Sequence, residues 1–282
     1  MGRTLIVNAD DFGFTRDVNA GIVEAHRNGI LTATTLMATG GATRDAFDDA
    51  VRLAKETASL DIGCHLVLVG APGFPPTVAQ LVRAVALGRI PIYDELSKQV
   101  RRIIDAGLNP THLDTHKHTH LLPPVLDAVA RISEEFRIPW VRRPFDFPLQ
   151  LGGVGGAKRA AKREWTNRLM RLMQPRFRTE LGRHHCRSTD WFAGFNLTGS
   201  YGSEDLINVI RALPEGTTEF MCHPGRLGDD LRAARTRLKE SREEELRALT
   251  SPEVRAALAQ AGVKLATFRD LTWTESGTPQ RT

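Results

Sequence analysis

The chain has 282 residues, of which 41% are hydrophobic and 25% charged, enough apolar content for an extensive core and too much for a disordered chain. Three cysteines, Cys64, Cys186 and Cys222, form no paired spacing, which argues against a disulfide framework and fits a reducing compartment. Lysine and arginine exceed aspartate and glutamate by 38 − 33 = 5, a mild excess that implies no nucleic-acid partner and is concentrated between Lys158 and Arg187, where it can attract an anionic surface or substrate.

From the N-terminus the chain runs directly into Thr4-Leu5-Ile6-Val7, without the charged lead and long apolar region of a signal peptide. No stretch approaches the roughly 20 apolar residues of a membrane span, so a cytoplasmic protein is expected. Leu5-Ile6-Val7 has the character of a buried strand and ends in the polar run Asn8-Ala9-Asp10-Asp11-Phe12-Gly13. Thr15 stands at an N-cap position, and Val18, Ile22, Val23 and Ala25 give helical spacing up to Gly29, a C′ glycine. Residues 33–37 read as a second strand, and 43–55 as a helix with Phe47, Ala50, Val51 and Ala54 on one face. A third strand covers 62–69 and a loop 70–76. Helical segments follow at 77–87 and 94–106, the latter closed by Gly107.

The stretch 111–120 then places His112, Asp114, His116, His118 and His120 at every second position. Bounded by Asn109-Pro110 and by Pro123-Pro124, which suits the first turn of a helix over 124–136, it reads as a fourth strand. Alternate side chains of a strand share a face, so this spacing can aim several metal-capable groups at one point. Residues 140–142 form a fifth strand. The glycines of 152–156 read as a hinge or loop; no GxGxxG follows a strand and no Gly-Lys-Ser/Thr occurs, so they form no phosphate cradle. A basic amphipathic helix over 157–173 carries Ala161, Trp165, Leu169, Leu172 and Met173 on one stripe, and 152–187 is expected to be an insertion or lid. The remaining elements are a strand at 191–195, a helix at 203–213, a strand at 218–222 that delivers His223-Pro224-Gly225, helices at 241–250 and 251–261, and a last strand at 264–267. Seven or eight alternations of short apolar strand and amphipathic helix predict a single α/β domain over 1–282, a parallel α/β barrel or a close variant of one.

In such barrels the chemistry sits where strands end. Asp10 and Asp11 follow the first strand, His65 lies in the outer half of the third, His116 ends the fourth, Arg142 and Arg143 end the fifth, and His223 ends the seventh. Two histidines and a carboxylate, His65, His116 and Asp11, form a mixed N/O set suited to one divalent ion with positions left open. Adjacent aspartates cannot both point inward along a regular strand, but in a loop one can bind metal while its neighbour stays free as a base. Asp114 is a candidate to orient a ligand histidine, His118 and His120 to contact substrate hydroxyls or simply lie exposed, and Arg142 or Arg143 to orient Asp10 through a bidentate pair.

Four motifs, Asn8-Ala9-Asp10-Asp11-Phe12-Gly13, Gly63-Cys64-His65-Leu66, the histidine stretch 111–120 and Met221-Cys222-His223-Pro224-Gly225, together resemble the YdjC-like carbohydrate deacetylases. They occur in the family's order and span the chain from Asn8 to Gly225. The resemblance implies an irregular (β/α) TIM-like barrel, a single domain related to the polysaccharide deacetylases, with a divalent ion, Mg²⁺ or Zn²⁺ with Co²⁺ and Ni²⁺ also tolerated, held by Asp11, His65 and His116. It implies Asp10 as general base, His223 as general acid, and hydrolysis of the N-acetyl group of an acetylated amino sugar. Residues 144–190 match less readily and are expected to shape the sugar site. A glycolipid substrate would bring peripheral membrane contact through the basic helix, and oligomeric state is left open, a homodimer included.

Two other readings stand beside this one. His112-Leu113-Asp114 with a distant histidine also matches the two-His, one-carboxylate triad of non-haem Fe(II) oxygenases. A non-catalytic sugar- or lipid-binding protein would keep a metal only in a closed structural site.

Overall fold

The structure, a computed structural model, describes residues 2–39, 41–43, 45–148, 157–273 and 279–280, without the side chains of 157–169, 272–273 and 279–280. Its centre is one parallel sheet built from β1 (Arg3–Phe12), β2 (Ala33–Leu36), β3 (Asp61–Leu66), β4 (His112–Thr115), β5 (Trp140–Val141), β6 (Trp191–Ala193), β7 (Gly216–Cys222) and β8 (Val263–Leu265). The order is β5-β4-β3-β2-β1-β7-β6, and β8 pairs with the first three residues of β1 while β2 pairs further along it. The two edges meet through isolated bridges between Trp140 and Arg187 and between Asp146 and Phe192. The sheet is therefore an irregular barrel, closed at one seam by loop backbone rather than by a continuous ladder.

Every residue of β1 after Arg3 is buried. Helices cover the outside and side chains fill the inside, so strands of this kind need apolar or well-paired residues on both faces. Leu5, Val7 and Ala9 join the main core with Ile22 and Val23, whereas Ile6 joins Ala33, Trp140, Phe268 and Leu271 in a separate apolar plug. Above that plug the inward residues of β1 turn polar, first Asn8 and then Asp10, so the site has an apolar floor.

The outer layer comprises α1 (Arg16–Asn28), α2 (Ala46–Glu56), α3 (Val78–Ala86), α4 (Ile92–Asp105), α5 (Pro123–Phe136), α6 (Ala157–Arg183), α7 (Ser203–Ala212), the short α8 (Asp229–Ala233), α9 (Glu240–Thr250) and α10 (Pro252–Gln260). Thr15 caps α1 as expected, its hydroxyl accepting from Val18 N–H at 3.1 Å. Gly29 differs from expectation: its φ is −126°, outside the left-handed region. What it provides is clearance, since a Cβ there would lie 2.4 Å from the Leu249 carbonyl at the end of α9.

Three expectations need correction. The third strand stops at Leu66 rather than Val69, because Gln99 of α4 takes both polar groups of Val67, at 2.8 Å each. The histidine strand stops at Thr115; residues His116–Leu121 form a 3₁₀ turn with Lys117 and His118 in left-handed backbone (φ 54° and 51°), which ends the shared face. The basic helix runs to Arg183, ten residues beyond the expected end; among its described side chains Met170, Phe177 and Leu181 are buried, while Leu172 is 75% exposed. The glycines at 152–156 and the side chains of Ala161, Trp165 and Leu169 lie outside what is described. Among the described residues no helix is long and apolar enough to cross a membrane.

Candidate active site

The register of β1 against β2 slips between Ala9 and Phe12, and Asp11 within this bulge has φ +69°. Aspartate tolerates left-handed backbone better than most residues, and the extra residue of a bulge re-aims the side chains around it. Here it lets consecutive carboxylates both reach the barrel mouth, as the paired aspartates require. Asp10 faces Arg142, and Asp11 faces His65 and His116.

Asp11 Oδ1 lies 3.3 Å from His65 Nε2 and 3.3 Å from His116 Nδ1, and these two nitrogens are 3.2 Å apart. Asp11 Oδ1 is buried without a hydrogen-bond partner of good geometry. A buried lone oxygen converging with two imidazole nitrogens is a costly arrangement alone, and it fits a divalent cation bound by a mixed N/O set. His65 and Asp11 are almost fully enclosed, while 24% of the His116 side chain reaches solvent and marks the open side. Behind the cluster, His65 Nδ1 bonds Asp114 Oδ1 at 2.7 Å, and Thr35 donates to Asp114 Oδ2 at 3.1 Å. This leaves the His65 Nε2 lone pair facing the cluster, the orientation a metal ligand needs.

Arg142, 3% exposed, is the electrostatic hub. Its guanidinium grips Asp10 at both oxygens (2.7 and 2.9 Å), lies 2.5 Å from Asp114 Oδ2, and donates from Nε to Glu219 Oε1 at 2.7 Å. Burial raises the Asp10 pKa, but Arg142, with smaller help from His65 and His223, outweighs it and holds the carboxyl well below its usual range. Glu219 goes the other way: burial, only partly offset by Arg142, raises its pKa. Asn8 Nδ2 also donates to Glu219 Oε1, at 2.9 Å.

His223 follows β7 directly, with Nε2 3.8 Å from Asp10 Oδ2 and Nδ1 buried without a partner. Burial pushes its pKa down to about 4, so the resting imidazole is neutral. Its backbone N–H donates to Glu245 Oε2 at 2.5 Å, and Glu245 Oε1 accepts from Gly199 N–H at 3.0 Å. One helical turn earlier on α9, Arg242 Nη2 donates to Asp11 Oδ2 at 2.5 Å. Sequence reasoning missed Arg242, Glu245, Glu219, Asn8 and Thr35. For α9 a signal existed: Arg242, Glu245, Leu246 and Leu249 fall at helical spacing on the buried face.

Other expected residues lie elsewhere. Arg143 does not pair with Asp10; it donates to the Asp190 carbonyl. His120 is fully buried, its nitrogens engaged by Thr115 Oγ1 and the Arg142 carbonyl, so it has none left for a sugar hydroxyl. His118 is also buried, among His120, Phe192 and Phe195, with Nδ1 unpaired and the pKa lowered well below normal by burial. His112 stacks on Phe268 and points to Asn8, while Asp114 turns to His65 and Arg142. The oxygenase-type triad is therefore not assembled.

The profile of the YdjC-like protein family matches residues 4–260. A carbohydrate deacetylase of Brevibacillus brevis is 34% identical, covering 95% of this chain and 99% of its own. A chitooligosaccharide deacetylase of Klebsiella pneumoniae is 32% identical over 96% of this chain and 100% of its own. The crystal structure of a proposed cellobiose-phosphate cleavage protein from Enterococcus faecalis superposes with a TM-score of 0.72 at 24% identity, covering 95% of this chain and 98% of that one, which shows a shared fold. With a profile match across nearly its whole length and relatives above 30% identity from end to end, the chain belongs to the YdjC-like protein family.

Proposed function

We propose that this protein is a metal-dependent hydrolase that removes the N-acetyl group from an acetylated amino sugar, an oligosaccharide or a glycoconjugate. The observation that carries this reading is the convergence of Asp11 Oδ1, His65 Nε2 and His116 Nδ1 beside a separately held carboxylate, Asp10. The deacetylase names of the relatives support it.

Asp11, His65 and His116 would hold the ion. A divalent ion there supplies Lewis acidity, polarising the acetyl carbonyl and acidifying water. Asp10 is kept ionised and fixed in orientation by Arg142, so it accepts the proton of the attacking water at a defined oxygen. General acid–base help of this kind contributes about 10²–10⁴-fold. The amine departs only when protonated, and that proton comes from His223. Because the resting His223 is neutral, it must first gain a proton. Asp10 Oδ2 lies 3.8 Å from His223 Nε2, close enough for the proton taken from water to be passed on to His223 and then to the sugar nitrogen. The products are acetate and the free amine.

The test is acetate release from a panel of N-acetylglucosamine oligomers and N-acetylated glycolipids, comparing metal-loaded wild type with Asp10→Asn. Release by wild type that falls at least about 100-fold in Asp10→Asn is the expected result. Tight sugar binding without turnover, unchanged by Asp10→Asn, would instead support a non-catalytic binding protein.

A further inference from the structure

The side chain of Arg242 is among the largest fully buried in the molecule, and it approaches a carboxylate whose other oxygen faces the two histidines. Its Nη2 takes Asp11 Oδ2 at 2.5 Å, while Asp11 Oδ1 stays unpaired and points at His65 Nε2 and His116 Nδ1. The guanidinium is anchored: Nε donates to the Leu238 carbonyl at 3.3 Å, and Cζ lies 5.8 Å from the Phe14 ring. The backbone of the same residue is engaged as well, its carbonyl accepting from Gly225 N–H at 3.1 Å in the loop that carries His223.

We propose that Arg242 is a positioning residue that occupies one oxygen of Asp11 and so restricts this ligand to single-oxygen coordination. The inference rests on the metal reading above and concerns how that site is kept open. A carboxylate free at both oxygens can bind a divalent cation through both and fill an additional coordination position. Hydrolysis by metal-assisted attack needs positions for water and for the acetyl oxygen, so a second oxygen from Asp11 would compete with the reactants. The arrangement trades affinity for access, because a buried guanidinium next to a ligand also repels the cation it helps to place.

These two roles separate Arg242 from a residue that merely packs. Removing the guanidinium frees Oδ2 and removes a neighbouring positive charge, so Arg242→Met should bind Zn²⁺ more tightly, by about tenfold or more, measured by competition with a chromophoric chelator. The Co²⁺-loaded variant should show weaker d–d absorption than Co²⁺-loaded wild type, the signature of one more oxygen ligand, and kcat should fall while KM changes little. Arg242→Lys keeps a buried charge but loses the planar fork, and it is the variant to read if Arg242→Met does not fold. There the affinity rises less, while the Co²⁺ absorption still moves toward higher coordination. Variants that bind Zn²⁺ more weakly than wild type, with an unchanged Co²⁺ spectrum, would overturn the proposal while leaving the metal reading intact. A wild type that binds neither ion would overturn both.

Discussion

Arg142 faces three carboxylates, Asp10, Asp114 and Glu219, in the buried interior of the barrel. A buried ion pair is weak evidence for net stability, but removing one partner leaves charge uncompensated. Arg142→Met should therefore destabilise the fold by about 3–5 kcal/mol in urea denaturation, far more than loss of a surface arginine. A cost below 1 kcal/mol would mean that the carboxylates share protons instead of leaning on the guanidinium. Asp114→Asn is milder: it keeps the shape but weakens the acceptor that orients His65, and should cost about 10–100-fold in Zn²⁺ affinity, read by chelator competition. The residues with metal-capable side chains at strand ends were legible in the sequence, because imidazoles and carboxylates next to apolar runs stand out. Their partners were not. Asn8, Thr35 and Glu219 are ordinary polar residues until the barrel folds them together.

At the scale of elements, the period-2 pattern of 111–120 located the strand but overstated its length. Left-handed backbone at Lys117 and His118 turns the chain after His116, and neither residue type announces that conformation. The turn separates the stretch into parts: His112 and Asp114 point into the barrel, His116 joins Asp11 and His65, and His118 and His120 pack against aromatic rings. β3 shows the opposite case, where a small residue was decisive. A Cβ on Gly63 would lie 2.6 Å from the His112 ring and from its carbonyl oxygen. Gly63→Ala should cost about 1–3 kcal/mol through overpacking, and it should also lower Zn²⁺ affinity because His65 stands two residues along the same strand. α6 was legible as a basic helix but not in its contacts. Phe177 meets Phe145 and His120, so Phe177→Ala should cost about 3–5 kcal/mol by cavity formation, whereas Leu172→Ala at the exposed position should cost under about 0.5 kcal/mol.

For the whole molecule, the alternation of strand and helix was sufficient to foresee one parallel barrel, because right-handed crossovers leave few other ways to bury such strands. The closure of its seam by loop backbone was not foreseeable, since the bridges at Arg187 and Phe192 do not depend on side-chain pattern. Global stability should also carry a signature of α9. Burial raises the Glu245 pKa from 4.5 to about 7, so the stability that this group contributes is fully present below pH 4.5 and is lost as pH rises to 7. The loss is on the order of 3 kcal/mol. Glu245→Gln cannot ionise, so its destabilisation relative to wild type should shrink by that order between pH 4.5 and 8 in denaturant titrations; a pH-independent difference would show that Glu245 titrates normally. The most direct measurement is the divalent-ion content of the purified wild type beside His116→Ala and Asp10→Asn, by elemental analysis, with acetate release assayed on the same preparations. One ion per chain in wild type and in Asp10→Asn, with turnover only in wild type and both lost in His116→Ala, is the expected result. A His116→Ala protein that keeps its ion and still releases acetate would contradict the site built on Asp11, His65 and His116.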